Sequence, residues 1–372
     1  MNKEINYIDL FSGIGGFAKG IEDAGIKIKN HYYSEIDKHC IAVYEKHFPK
    51  AKQLGDIKSI KTNDISNIIS KVGQIDLITF GFPCQDLSVA GKGKGLDGNR
   101  SGLFFEAIRL IKEIKPTTFI FENVKGLLTN NNGKDFVRCL QEISNIGLYD
   151  CEWQLVNTSW FLPQNRERIY FIGHFREKSR FKVFPIRENY CKTSVLQGQQ
   201  NSKSETITNT ITARTGEAKS FGTYVIESQF HEKTKRNSQG SRINTIYGNS
   251  SCILSSSGNC GKNGLYVIPV MTPNRLNKRQ NGRRFKTDGE PSFTLTTQDQ
   301  HGVCLIDNDK VSLCVRRLIP IECERLQGFP DDWTKTDKNG NEIKDTNRYR
   351  MIGNAVTTNV VKEIITRLYN NN

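Results

Sequence analysis

No feature restricts the fold of this chain more than the alternation in its first 175 residues. Short apolar or β-branched runs (Ile5–Phe11, Tyr32–Ile36, Ile75–Phe80, Thr118–Phe121, Ile169–Ile172) are separated by amphipathic stretches such as Gly102–Ile114 and Phe136–Ile146. Alternating β and α elements build an α/β domain with a mostly parallel sheet, Rossmann-like, and helices on both faces. Ligands of such sheets bind outside the carboxyl ends of the strands, so the turns after each run are where chemistry is expected.

After about residue 187 the texture changes: Ser, Thr, Asn, Gly and Gln dominate to about residue 300. Three approximate repeats occur there: Asn209–Thr212 with Gly222–Ile226, Asn244–Tyr247 with Gly264–Ile268, and Phe293–Thr296 with Gly302–Ile306. Each reads as a strand, a polar loop and a second strand after Gly, predicting three hairpins on a β-rich framework. Helical patterning returns in 347–368, where Gly353-Asn354-Ala355 reads as a turn into a helix with a stripe of Val356, Val360, Val361, Ile364, Ile365 and Leu368. The expected organisation is a large domain of residues 1–187 and 346–372, and a smaller β-rich domain of 188–345.

The formal charge is +14, and +10 of it falls between residues 174 and 310, which hold 21 basic and 11 acidic residues. Cations interleaved with polar side chains suit a polyanion, because they displace phosphate counterions while polar tips reach base edges. The densest run, 275–284, ends in Arg283 and Arg284. A solvated basic surface is the competing reading. The ten cysteines include no C-x-x-C pair, so neither a zinc site nor a redox motif is indicated, and no metal is expected. No apolar run reaches membrane-spanning length, and a cytoplasmic protein without signal peptide or membrane contact is expected.

Three turns carry candidate chemistry. Gly13-x-Gly15-x-x-Ala18 follows a strand and precedes a helix, and Glu35 follows about 20 residues on, placed to grip ribose hydroxyls. That fingerprint specifies an adenosine cofactor without saying which. Gly81-Phe82-Pro83-Cys84-Gln85 presents a cysteine on a Pro-preceded turn at a strand end, followed by the glycine- and cation-rich 91–100. Glu122, in Phe121-Glu122-Asn123-Val124, ends another strand, and Gln164-Asn165-Arg166-Glu167-Arg168 offers two guanidinium groups before a third. Singly, each of these fits a surface ion pair or a buried thiol; jointly they point to a reaction centre.

In that order, with Ser34–Asp37, Gly55-Asp56-Ile57, Arg317–Pro330 and Tyr349–Val356, these segments resemble the bacterial DNA cytosine-C5 methyltransferase family along nearly the whole chain. The resemblance implies a cofactor, S-adenosyl-L-methionine, with Phe11, Gly13, Gly15, Glu35, Asp56, Ile57, Pro83, Leu103, Asn354 and Val356 in its pocket. It implies Cys84 as nucleophile at cytosine C6, Glu122 at the base, Arg166 holding that base and Arg168 supporting the site. Gln85, Ser88, Arg100, Arg283 and Arg284 would contact double-stranded DNA, whose target base must be flipped out. The region between Gly173 and Arg317 corresponds to the family's variable target-recognition segment. The implied setting is a restriction-modification system with a cognate endonuclease, or an orphan or phage-borne enzyme, bacterial or phage-encoded and associated with the nucleoid, acting as a monomer. A tRNA cytosine methyltransferase on the same scaffold, an inactive binding protein and a nicotinamide oxidoreductase are the alternatives. The last rests on the first turn alone.

Overall fold

The structure is a computed structural model that describes residues 3–82, 102–177, 182–186, 265–273, 283–286, 290–297, 300–307 and 312–370. The chain divides into two compact units: Met1–Asn157, Glu167–Arg187 and Trp333–Asn372 form unit one, and Thr158–Arg166 with Glu188–Asp332 form unit two. Unit two therefore takes in Thr158–Arg166, and the chain returns to unit one at Trp333, earlier than the helical pattern at 346 suggests.

Unit one is a seven-stranded sheet: β1 (Glu4–Leu10), β2 (Lys27–Ser34), β3 (Lys52–Gln53), β4 (Leu77–Phe80), β5 (Thr118–Val124), β6 (Tyr149–Asn157) and β7 (Glu167–Phe175), in the order β3-β2-β1-β4-β5-β7-β6. Strands β1 to β5 pair parallel, and β7 runs antiparallel to both β5 and β6. Helices α1 (Gly16–Asp23), α2 (Lys38–His47), α3 (Thr62–Val72), α4 (Leu103–Ile114), α5 (Gly126–Thr129) and α6 (Lys134–Ile146) connect them.

Side-chain alternation along the strands sorts the two faces. Ile8, Leu10, Ile78, Phe80, Phe119, Phe121 and Phe171 join one apolar core with Ile65 of α3, Phe104 and Ile111 of α4, and Ile143 of α6. Phe121 and Phe171 stack with centroids 4.3 Å apart, across the antiparallel β5–β7 pair. The alternate residues Tyr7, Asp9, His31, Tyr33 and Thr79 are equally buried but polar. All but Tyr33 belong to a hydrogen-bonded chain described below.

The last two helices, α8 (Asp345–Asn354) and α9 (Thr358–Asn370), belong to unit one; α7 is Pro320–Gln327 of unit two. Gly353 and Asn354 close α8 rather than open α9, and Ala355–Thr357 make the link. The stripe of α9 packs on α1, where Gly20 lets Val361 and the Thr358 carbonyl approach so closely that a Cβ there would meet Val361 Cγ1 at 2.5 Å. Among the described residues no helix is long and apolar enough to cross a membrane.

Unit two has a three-stranded antiparallel sheet of β8 (Leu265–Met271), β9 (His301–Asp307) and β10 (Ser312–Arg317), ordered β10-β9-β8. The second strands of the second and third repeats thus exist, but they pair with each other. The predicted strand Phe293–Thr296 does not form. That stretch is held instead by Pro163–Arg166: Asn165 N–H donates to the Ser292 carbonyl (2.9 Å), Ser292 N–H to the Pro163 carbonyl (3.0 Å), and Leu295 N–H to the Gln164 side chain (3.0 Å). These bonds, with Thr296 N–H donating to the His301 side chain at 3.3 Å, occupy backbone groups that a ladder with β9 would need. The first repeat, the first strand of the second, and 275–282 lie outside the described residues.

Candidate active site

Strand register builds the site. Leu10 pairs with Ser34 on one side and Phe80 on the other, and Phe80 pairs with Phe121. Four strand ends stand in one row, so the turns after them rise from a single edge of the sheet. Those turns carry Phe11–Gly15, Glu35–Asp37 and Gly81-Phe82, while Glu122 lies within β5, next to Phe121.

The first turn is built from conformations that side chains avoid. Gly13 and Gly15 have φ of 53° and 86°, and Phe11, which has a Cβ, sits at 52°. A left-handed non-glycine costs on the order of 1 kcal/mol or more and persists only where neighbours enforce it. Glu35 is one enforcer. Its Oε2 accepts from Gly13 N–H (2.9 Å), while Oε1 accepts from the N–H groups of Ile36 (2.8 Å) and Asp37 (2.9 Å). A carboxylate has about four acceptor directions, so one remains after both turns are tied together.

Beside it Ile36 is 72 % exposed, a large apolar side chain held in solvent that hydropathy patterning did not single out. Asp37 caps α2, accepting from His39 N–H at 2.9 Å, and pairs with Arg350 of α8. Asp56 is exposed and accepts from Lys58 N–H at 3.0 Å, while Ile57 is buried. Ser34 Oγ donates to the Gly55 carbonyl at 2.7 Å, drawing that loop to the end of β2. Leu103 begins α4 half-buried, Asn354 is exposed, and Val356 is buried.

Glu122 is 8 % exposed. Arg168 Nε lies 2.9 Å from its Oε1, in a diagonal cross-strand position on β7. The N–H is not aligned on that oxygen, so the contact is an ion pair rather than a hydrogen bond. The other oxygen sits over the turn after β4: a Cβ on Gly81 would stand 3.4 Å from Glu122 Oε2. Phe82, 2 % exposed, packs on Phe80, Phe104 and Phe121, and its carbonyl accepts from Asn123 Nδ2 at 3.5 Å. The root of the following segment is thereby fixed. Pro83, Cys84, Gln85, Ser88 and Arg100 lie outside the described residues.

Arg166 belongs to unit two, where it is 2 % exposed and donates through Nη1 to the Leu295 carbonyl at 3.1 Å. Arg283 forms a two-pronged ion pair with Glu290 (2.9 and 2.6 Å), and Arg284 donates to Thr272 Oγ1 at 3.0 Å.

Beneath the first turn runs the buried polar chain that the sequence did not announce. Thr79 Oγ1 and Tyr44 O–H each donate to Asp9 at 2.9 Å, Tyr7 O–H meets Thr79 at 2.5 Å, and His31 Nε2 meets Tyr44 O–H at 2.7 Å. Burial pushes the Asp9 carboxyl up to about 7, against the lowering effect of the hydroxyls, and holds His31 down at about 4.

A mostly parallel sheet with its functional turns on the carboxyl edge defines the class, an α/β protein that binds its ligands there. Comparison with known proteins gives the family. The C-5 cytosine-specific DNA methylase family matches residues 5–370, and the chain belongs to it. It is 30% identical to the orphan methyltransferase M.SPRI of Bacillus phage SPR, over 98% of this chain and 97% of that one. To the type II methyltransferase M.BanI of Aneurinibacillus aneurinilyticus it is 27% identical, over 99% and 96%. The crystal structure of S. pombe Dnmt2 methyltransferase shares the fold, with a TM-score of 0.55 at 18% identity, covering 99% of both chains. The chain is a cytosine-C5 DNA methyltransferase, and the nicotinamide oxidoreductase reading falls away.

Proposed function

We propose that this enzyme methylates C5 of a cytosine flipped out of duplex DNA at one short sequence, with S-adenosyl-L-methionine as donor and Cys84 as nucleophile. The observation that carries it is the Glu122 carboxylate, paired with Arg168 and seated against Gly81, two residues before Pro83-Cys84.

The first two turns fit the donor. The space a Cβ on Gly13 would take has nothing within 4 Å, Glu35 keeps one acceptor direction for a ribose hydroxyl, and Ile36 offers an apolar face to a flat base. Phe11, Gly13, Gly15, Glu35, Asp56, Ile57, Pro83, Leu103, Asn354 and Val356 would hold it. S-adenosyl-L-methionine supplies an electrophilic methyl group on a sulfonium.

The Cys84 thiolate would add to C6, forming the S–C6 bond and pushing the ring electrons toward C5 and N3. Glu122 would hold a proton at N3 and accept from the exocyclic amine, stabilising that charge. After methylation, removal of the C5 proton returns electrons to the ring and expels Cys84. Arg166 would hold the base, and Arg168 keeps the Glu122 carboxylate oriented. Gln85, Ser88, Arg100, Arg283 and Arg284 would bind DNA. Unit two, with its basic residues set among polar side chains, would read the target, so its limits approximate the recognition domain. Relatives named as type II and orphan methyltransferases support a role in restriction-modification or in phage DNA modification; a cognate endonuclease, a place in the bacterial cytoplasm and a monomeric state complete the proposal.

The test is base-resolution mapping of 5-methylcytosine in a methylation-free bacterial host, with purified enzyme assayed on the mapped duplex. Wild type should mark one short context, Cys84→Ser none, and Glu122→Gln should lose on the order of a hundredfold or more in kcat. Soluble wild type that leaves the genome unmarked, or Cys84→Ser that still marks it, overturns the proposal.

A further inference from the structure

The first turn is held from a second direction, by a residue that no motif points to. Trp333 is the residue at which the chain re-enters unit one. Its indole N–H donates to the Ile14 carbonyl at 2.9 Å, across 319 positions of sequence. Ile14 lies between the two left-handed glycines, Gly13 and Gly15, which bring no side chains of their own to fix the turn.

The indole is itself locked. It stacks face to face on His47 at 3.5 Å with an angle of 3°, and meets Phe48 edge-on at 6.1 Å. His47 Nε2 donates to the Trp333 carbonyl at 2.8 Å, an acceptor-only group, so the proton is on Nε2. Phe48 in turn occupies the place a Cβ on Gly15 would need. The indole is 6 % exposed. Glu35 thus takes the Gly13 N–H and Trp333 the Ile14 carbonyl, on the two peptide units that flank the Gly13–Ile14 peptide, so the strained turn is held from both sides.

We propose that Trp333 is a positioning residue for the cofactor, holding the first turn in the shape that receives S-adenosyl-L-methionine. The inference rests on the cofactor reading above. Pre-forming a loop strengthens binding by removing the cost of ordering it at the moment of contact. Loss of one hydrogen bond that sets the loop should weaken binding about three- to tenfold.

The experiment is calorimetric titration of the full-length protein with S-adenosylhomocysteine, beside amide hydrogen exchange of the free protein. Trp333→Phe keeps an aromatic ring for His47 and deletes the donor together with the second ring of the indole. It should raise Kd about three- to tenfold and speed exchange at residues 12–16. His47→Ala, which removes the ring under the indole, should shift both readouts in the same direction and serves if Trp333→Phe does not fold. Ile143→Val, on the core-facing side of α6, is the stability control: it should lower Tm and leave Kd within about twofold. Wild type that binds while Trp333→Phe binds equally well overturns this inference alone. Wild type that binds no S-adenosylhomocysteine overturns the cofactor reading and this inference with it.

Discussion

Asp9 has no exposed surface and is met by the hydroxyls of Thr79 and Tyr44. Hydroxyl donors offset part of the cost of burying its charge, but burial wins and the folded carboxyl titrates at about 7 rather than 3.8. The unfolded chain releases this proton near 3.8 and the folded chain near 7, so stability falls as pH rises between those values and is level above. At about 1.36 kcal/mol per unit, the penalty grows to about 4 kcal/mol at pH 8, of which about 3 kcal/mol accrues above pH 5. His31 works in the opposite sense. Burial keeps it neutral down to about pH 4 while the unfolded imidazole protonates near 6.5. Its contribution is lost as pH falls from 6.5, by about 2 kcal/mol at pH 5. In the wild type these two groups largely cancel between pH 5 and 6.5, and a single stability profile would hide both.

Asp9→Asn separates them, because His31 is common to both proteins. The amide gives up one hydroxyl acceptor, a cost of about 1 kcal/mol at any pH, and removes the ionisation penalty. The variant should therefore be close to wild type at pH 5 and about 3 kcal/mol more stable at pH 8. For a unit of this size that is about 6 °C in Tm. Scanning calorimetry of both proteins at half-unit steps from pH 5 to 8 reads it directly. Tm curves that run parallel across this range would refute the argument, by showing that Asp9 is ionised throughout or reached by water.

Gly20→Ala places a methyl group at 2.5 Å from Val361 Cγ1 and 3.0 Å from the Thr358 carbonyl. Parting α1 from α9 should cost about 1–3 kcal/mol, seen as a drop of several degrees in Tm; an unchanged Tm would mean the helices adjust freely. Replacing Arg283 and Arg284 by Gln should reduce the slope of log Kd against log salt for the mapped duplex by up to about two. Since Glu290 already occupies Arg283, Glu290→Gln should free that cation and steepen the slope. Slopes identical to wild type in both variants would remove these arginines from the DNA interface.

What the sequence made legible, and what it hid, follows from the range of the forces involved. Strands β1, β4 and β5 each carry a run of buried apolar residues, and the glycines, Pro83-Cys84 and Glu122 lie at or just beyond their ends, so local pattern was enough to find the edge that carries the candidate site. Strand β6 escaped because its sequence looks like a loop: Asp150, Glu152 and Gln154 interrupt its apolar residues. The structure explains them. Glu152 accepts from Val183 and Phe184 N–H at 2.8 and 3.1 Å, and Gln154 exchanges two hydrogen bonds with Ile186, so polar side chains at the sheet's edge tie down backbone some thirty residues away. The same blindness hid Tyr7, Asp9 and His31, which look like polar faults in buried strands until Thr79 and Tyr44 are brought beside them. Trp333 is the extreme case. An apolar residue after Pro330-Asp331-Asp332 carries no local message, and its single hydrogen bond to Ile14 acquires meaning only once the fold has joined the two ends of unit one. Short-range pattern therefore locates the residues proposed to meet substrate, whereas those that hold them in place are found only through contacts that the folded chain creates.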